Sequence, residues 1–271
     1  MKQIRPAAVA GAFYTGDPRA LADEVAAMLE EAGQHLEKSA TLPKAVIVPH
    51  AGYIYSGPVA ASVYALLEQG RNIYRRVVLL GPVHRVPVRG LALPSTEGFA
   101  TPLGIVPLDL DAMVKIAGLP QVMEYDAAHA MEHSLEVQLP FLQAVLDDFK
   151  LVPLAVGDAT PQEVAEVLER LWGGPETLIV ISSDLSHFLT YREAQQIDST
   201  TAQAILDLRW PLSHEQACGG TPVNGLLLAA QHHHLRPRLL DLRNSGDTAG
   251  DKSRVVGYAA FAFIEEGSNV H

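Results

Sequence analysis

The stretch KAVIVPHAGYIYSGPVAASVYALLEQG, residues 44–70, sets two hydrophobic patterns side by side. Ala45, Val46, Ile47 and Val48 form a short unbroken apolar run, as a strand buried on both faces requires. Pro49 ends it, and a histidine, two glycines, two tyrosines and a serine follow within eight positions. From Pro58 the residues PVAASVYALLEQG read as a helix closed by Gly70. A buried strand, a loop and a helix make up the unit of an α/β sheet with helices on both faces. His50 is left at the carboxyl end of that strand.

The alternation continues in both directions. Upstream, ALADEVAAMLEEAGQHLEK has helical spacing, with Asp17 as the expected N-cap and Pro18 at the first helical position. Downstream, RRVVLLGPVH reads as a strand and HSLEVQLPFLQAVLDD as a helix bent or restarted at Pro140. FKLVPLAVG is the next strand. TPQEVAEVLERLWGG is a helix capped by Thr160, with Pro161 at its first position and Gly173 after its end. ETLIVISSD is a strand, YREAQQIDSTTAQAILDL and GLLLAAQHHH are helical, and RVVGYAAFAFIEE is a long last strand. LRNSGDTAGDKSRVVGY reads as a long polar loop leading into it. No repeat, low-complexity block or Pro/Gly/Ser-rich linker divides the chain. The expectation is one domain over residues 1–271, a three-layer α/β/α sandwich around a largely parallel or mixed sheet.

Bulk properties narrow the function. With 48% hydrophobic and 19% charged residues, the composition is that of a globular protein with a sizeable core. The net charge of -11, without a basic patch, argues against nucleic acid as a partner. No apolar run approaches the roughly 20 residues that span a bilayer. Pro6 and weak apolar content argue against a signal peptide at the start, and a cytoplasmic protein is expected. A single cysteine, Cys218, excludes an intramolecular disulfide.

The reactive side chains collect where strands end. AVIVPH ends at His50, VVLLGPVH at His84, and LIVISSDLSH runs into Asp184 and His187. Open α/β sheets form their sites outside the carboxyl ends of the strands. Parallel neighbours would therefore bring three imidazoles and a carboxylate to one edge. Imidazole is the commonest metal-binding side chain, and thiolate suits copper(I), zinc and iron. Cys218 lies in ACGGTPVNG, a turn at the start of an expected helix, whose N-terminus would favour thiolate. His50, His84 and Cys218 with open coordination positions would make a catalytic rather than a closed structural site. His187 is then the candidate acid/base, with Asp184, three residues earlier, either orienting it or accepting a proton. A Ser-His-Asp hydrolase built on Ser183 or Ser186 is the local alternative, but no G-x-S-x-G elbow is present.

Other candidates surround this set. In DAAHAMEHSLEVQLPF, His129 and His133 lie four apart, with Glu132 and Glu136 nearby. His133 and Glu136, at i, i+3, are either a ligand pair or a capping and packing arrangement, and in both cases are candidates to line the pocket. Tyr53 and Tyr55 flank the His50 loop as candidate walls for a phenolic substrate, and Arg243 is a candidate for an anionic group. The run His232 to His234 reads as a solvated helix end.

The motifs RPAAVAGAFYTGDP, VPHAGYIYSGPVA, LLGPVHR, EHSLEVQLPFLQ, ISSDLSHF, ACGGTPVNG and RNSGDT…VVGYAA, in this order, resemble the Memo family over essentially the whole chain. Its bacterial and archaeal members are called AmmeMemoRadiSam system protein B. The resemblance implies a fold similar to the class III extradiol dioxygenases, which open catechol rings with non-haem iron(II) on two histidines and a glutamate. Here His50, His84 and Cys218 match the ligand positions, with thiolate in place of carboxylate, and Asp184 and His187 match the SSDxxH pair. Iron(II) is the implied cofactor, with copper or zinc as alternatives. A functional link to a radical-SAM protein is also implied. Two functions follow: a dioxygenase-type oxidoreductase acting on a small phenolic substrate, or a non-catalytic metal- or peptide-binding accessory or signalling module using the same pocket.

Overall fold

The computed structural model describes residues 3–34, 36 and 41–265. The strands, in chain order, are β1 (Ile4–Arg5), β2 (Ala45–Val48), β3 (Arg76–Pro82), β4 (Leu91–Leu93), β5 (Gly98–Thr101), β6 (Gly104–Pro107), β7 (Val122–Glu124), β8 (Lys150–Val156), β9 (Thr177–Ser182), β10 (His187–Leu189), β11 (Leu235–Asn244) and β12 (Val255–Glu265). The helices are α1 (Pro18–Gly33), α2 (Tyr53–Leu67), α3 (Leu110–Ile116), α4 (Ala127–Ala130), α5 (Leu139–Val145), α6 (Pro161–Leu171), α7 (Tyr191–Leu206), α8 (Gly220–His232) and α9 (Ser245–Thr248).

The main sheet runs β10-β12-β2-β9-β3-β8-β4-β7, with β11 also paired to β12. Its centre, β2-β9-β3-β8, is parallel, as the apolar runs imply, while β12 and β4 join antiparallel. The sheet is therefore mixed. A three-stranded sheet, β1-β5-β6, stands apart from it. Helices α1, α2 and α5 pack together on one side of the sheet, and α8 packs against β3 and β9 with α6 paired to it. Between these layers the central strands are buried on both faces, and one hydrophobic core runs through them. No helix among the described residues is long and apolar enough to cross a membrane.

Several helix ends follow local chemistry. Asp17 accepts hydrogen bonds from the Arg19 and Ala20 amides ahead of α1. Thr160 and Glu163 close a reciprocal capping box on α6. Gly173 after α6 has φ +60°, a conformation that glycine adopts without steric cost.

The structure departs from the sequence expectations in three places. Helix α2 begins at Tyr53, not at Pro58, so Pro58 lies within it. The supposed helix over 133–148 is a 3-10 turn at Glu136–Gln138 followed by the short α5. The first part of the supposed polar loop is the end of strand β11, which turns into the single-turn α9 at Ser245. Pro237 and the charges at Arg236, Arg238, Asp241 and Arg243 disguise that strand, because a strand paired on one side tolerates both.

Candidate metal centre

β2, β9 and β3 are parallel neighbours in that order, so their carboxyl ends meet at one edge. His50 follows β2, Asp184 and His187 follow β9, and His84 follows β3. Cys218 arrives from the turn before α8, whose amide end is anchored to the β9 turn. Cys218 N donates to Asp184 O at 3.2 Å, and Gly219 N donates to Ser183 Oγ at 3.0 Å. A Cβ at position 219 would sit 2.7 Å from Ser182 O, so only glycine lets this turn come so close. One ligand atom each from His50, His84 and Cys218 lies within 4.8 Å of the others. The same spacing holds for Asp184, His187 and Cys218, and for His84, Glu132 and His133.

Hydrogen bonds fix which nitrogen of each imidazole carries the proton. Ser182 donates its hydroxyl proton to Ser134 O at 2.6 Å. Ser182 Oγ also accepts from Gln138 Nε2 at 2.9 Å, and Gln138 is oriented by Pro49 O and the Tyr64 hydroxyl. His50 Nδ1, 2.9 Å from the same oxygen, must then be the donor. That leaves a lone pair on His50 Nε2, which lies 3.2 Å from Cys218 Sγ. His84 is held by Glu132, whose carboxylate accepts from His84 N at 2.6 Å and faces Nδ1 at 2.8 Å. Its Nε2 has no protein hydrogen-bond partner among the described residues. A ligating histidine characteristically gives its other ring proton to a carboxylate or similar acceptor. Gly81 lets the Glu132 segment dock on β3, since a Cβ there would meet Ser134 Oγ at 2.9 Å.

The charge states follow from these surroundings. Burial raises the Glu132 carboxyl, but the bonds from His84 and the Ser134 amide outweigh it and hold the group down at about 2. Burial, reinforced by His133 and His84, pushes His50 well below the ordinary histidine value, so it is a neutral donor. Burial raises Asp184, opposed by the 2.7 Å bond from His50 N. Burial also pushes the Cys218 thiol up, with the Asp184 carboxyl adding to the effect. The expectation of a thiolate favoured by a helix end is thus overturned for the metal-free protein. A cation at the site would reverse this, since a coordinating thiol is deprotonated outright. Two imidazoles and a thiol fit a borderline-soft divalent ion.

His187 Nδ1 faces Leu185 O at 2.9 Å and so carries the proton, leaving Nε2 able to take or give one. His187 lies on the cleft beside Cys218. Phe188, at φ +62°, puts its ring on the exposed side under Arg254. The hydrolase alternative has no support in the contacts: Ser183 Oγ donates to Asp184 O, and neither Ser183 nor Ser186 is bonded to an imidazole among the described residues.

The remaining candidates separate. His133 lies in the centre, its ring 4.7 Å from that of His84 and backed by Phe13 at 4.5 Å. Glu136 does not. It is fully buried and binds Arg5, the Ala8 and Val9 amides and the Tyr14 hydroxyl. The i, i+3 pairing with His133 fails because residues 133–136 are not an α-helix. Tyr53 is buried in the core, where it donates to Val137 O at 2.7 Å. Tyr55 is exposed on the first turn of α2, and neither tyrosine lines the cleft. Arg243 pairs with Asp241 on β11, at a separate shallow pocket. His233 stacks on Trp172 and bonds Glu169 at the surface, as a solvated helix end does. His129 is buried and bonded to Ala92 O.

A cleft of 1320 Å³ adjoins the centre, with His84, His187 and Cys218 in its lining. Glu132, Ser182 and Gln138 orient the candidate ligands. Glu132 stood out in the sequence only as a carboxylate near two histidines, and Ser182 and Gln138 carried no signal of their own.

Comparison with known proteins agrees with the motif pattern. The family model described as Memo-like protein matches residues 5–262. A MEMO1 family protein of Aquifex aeolicus is 37% identical over 97% of this chain and 100% of its own length. Relatives with the same description from Archaeoglobus fulgidus and Ignicoccus hospitalis are 35% and 37% identical, each over 96% of this chain and 99% and 98% of their own. Among solved structures, an uncharacterized protein from Escherichia coli K12 aligns with a TM-score of 0.47 at 14% identity, covering 80% of this chain and 98% of that one.

Proposed function

The chain belongs to the Memo family, and on that premise we propose that it is a metal-dependent oxidoreductase of dioxygenase type, with His50, His84 and Cys218 holding one iron(II) ion. One observation carries the reading. The Nδ1 atoms of both histidines face Ser182 and Glu132, so both Nε2 atoms are left beside the Cys218 sulfur, where an open cleft is lined by His84 and Cys218. A structural site would close all four positions with protein ligands. When bound, the ion supplies the place where substrate and dioxygen meet.

The protein's own residues then have distinct tasks. Cys218 would hold the ion as a thiolate, so loading would release its proton. Asp184 fixes the His50 loop by accepting its amide proton. His187, with Nδ1 held by Leu185 O, moves a proton at Nε2 on the cleft side. The donor set also suits copper or zinc, and zinc would leave no redox chemistry.

The test is oxygen uptake by protein loaded with iron(II) under anaerobic conditions and then given dioxygen and a series of catechols. Turnover is expected, with a pH limb that disappears in His187→Ala. Stoichiometric metal with no consumption of any catechol would turn the assignment to the accessory module. An unchanged limb in His187→Ala would remove that residue from the proton path.

A further inference from the structure

We propose that the cleft takes a substrate whose reacting head carries an uncharged, aliphatic tail, and that it rejects a tail ending in an anion. The inference rests on the reading of His50, His84 and Cys218 as the reacting end.

The direction of the cleft follows from the sheet. β9, β3 and β8 are parallel and adjacent, so their carboxyl ends step sideways by about 4.8 Å each. Asp184 stands past the first, His84 past the second and Asp158 past the third. The cleft therefore runs along the sheet edge, from Cys218 and His187 past His84 to residues 157–159. Its far end lies about 10 Å, two strand steps, from the β9 turn. At 1320 Å³ it is larger than a single phenolic ring needs, because small-molecule sites run from about 300 to 1,000 Å³.

Its fixed charge is one-sided. The walls along this path are Val83, Val88, Val156, Ala159, Leu189 and Ile197. Among the described residues, no lysine, arginine, phenylalanine, tyrosine or tryptophan lines it. The carboxyls that do are Asp158 and Glu215, both on exposed residues. Arg89 lies 3.8 Å from Asp158, but both side chains are largely in water, where such a pair is weak. Glu215 makes no ion pair among the described residues. Arg85, next to His84, is exposed and does not line the cleft. An anionic tail would find no lysine or arginine inside, only the imidazoles of His84, His187 and His214, and would meet like charge at the rim. An alkyl tail would find Pro82, Val83, Pro87, Val88, Val156 and Ala159 along the β3 and β8 ends, while the polar lining residues Gln196, Thr200, Ser213, Gln216 and Thr221 come from α7, the 213–216 segment and α8.

Three catechols of equal length test this: hexylcatechol and its ω-amino and ω-carboxyl counterparts. Each is titrated calorimetrically, without oxygen, into metal-free and iron(II)-loaded protein. The hexyl form is expected to bind about tenfold tighter than the carboxylate, the effect of one or two unit charges across partly wet protein. The ammonium form is also expected to bind tighter than the carboxylate. Asp158→Asn combined with Glu215→Gln should reduce the carboxylate's disadvantage to about twofold or less. Ala159→Phe, a change on a partly exposed turn, should remove the gain of the hexyl tail over plain catechol. Equal or tighter binding of the carboxylate overturns the proposal, as does an Ala159→Phe variant that leaves the tail's gain intact. If the tail order appears without metal and iron adds nothing for the catechol head, the assignment of the reacting end fails while the cleft reading stands.

Discussion

Glu132 and Glu136 lie four residues apart in MEHSLEVQL, and both are buried. Glu132 accepts from His84, through amide and ring, and from the His133 and Ser134 amides. Glu136 accepts from Arg5, two amides of the Ala8–Val9 segment and the Tyr14 hydroxyl. One carboxylate orients a candidate metal ligand, and the other ties the start of the chain to the body. Residue type and burial are the same in the two cases, and the donors aimed at each group decide its task. A buried carboxylate persists only with such donors.

Replacing each group in turn should separate stability from metal affinity. The largest effect is expected for Glu136→Ala, which leaves the Arg5 guanidinium buried without its counter-charge. Unfolding in urea should show a loss of about 3–5 kcal/mol, with metal content per folded chain unchanged. If Glu136→Ala instead lost metal at near-native stability, the division of roles would be reversed.

Glu132→Gln should lower metal affinity by about 10–100-fold, read by competition with a chelator, and should destabilise less than Glu136→Ala. Acid titration of the metal-free protein gives the same residue a second readout. Its folded pKa of about 2 lies below the ordinary value of 4.5, so its contribution to stability is present above 4.5 and is lost as pH falls toward 2. Glu132→Gln should lack that loss. His129 acts earlier. Burial holds it down at about 4, so below 6.5 the unfolded chain takes up a proton that the folded chain refuses. Stability should therefore already decline from pH 6.5 toward 4, with His50 and His133 acting in the same sense, and His129→Gln should make that part of the curve shallower. A curve level down to pH 5 would contradict this.

Ser182→Ala should have the smallest effect, about tenfold in metal affinity. It frees His50 to place its proton on either nitrogen. No change in affinity would mean that the hydrogen bond to Ser182 does not select the tautomer.

The strand ends at His50, His84 and His187 could be read from the sequence because buried parallel strands are uninterrupted apolar runs. The sheet then brought those residues to one edge. Cys218 could be found through its Gly-rich turn, though the effect of burial on its thiol could not. Strand β11 was hidden by Pro237 and its charges, which a strand flanking only β12 tolerates. Tyr53 and Glu136 were misplaced for a related reason. The start of α2 and the break at residues 133–138 depend on contacts with Phe13 and Arg5, more than thirty positions away in the chain. Ser182, Gln138 and Glu132 act only through the side chains they touch, and hydrophobic periodicity carries no trace of such contacts.

The central claim is that His50, His84 and Cys218 hold one ion. It is tested most directly by purifying the protein anaerobically and measuring its metal beside His50→Ala and Cys218→Ala. The expected result is about one equivalent of iron in the wild type, as three protein ligands at a single site imply, and its loss in both variants while they remain folded. Wild-type protein without stoichiometric iron, copper or zinc, or variants that retain the metal, would contradict it.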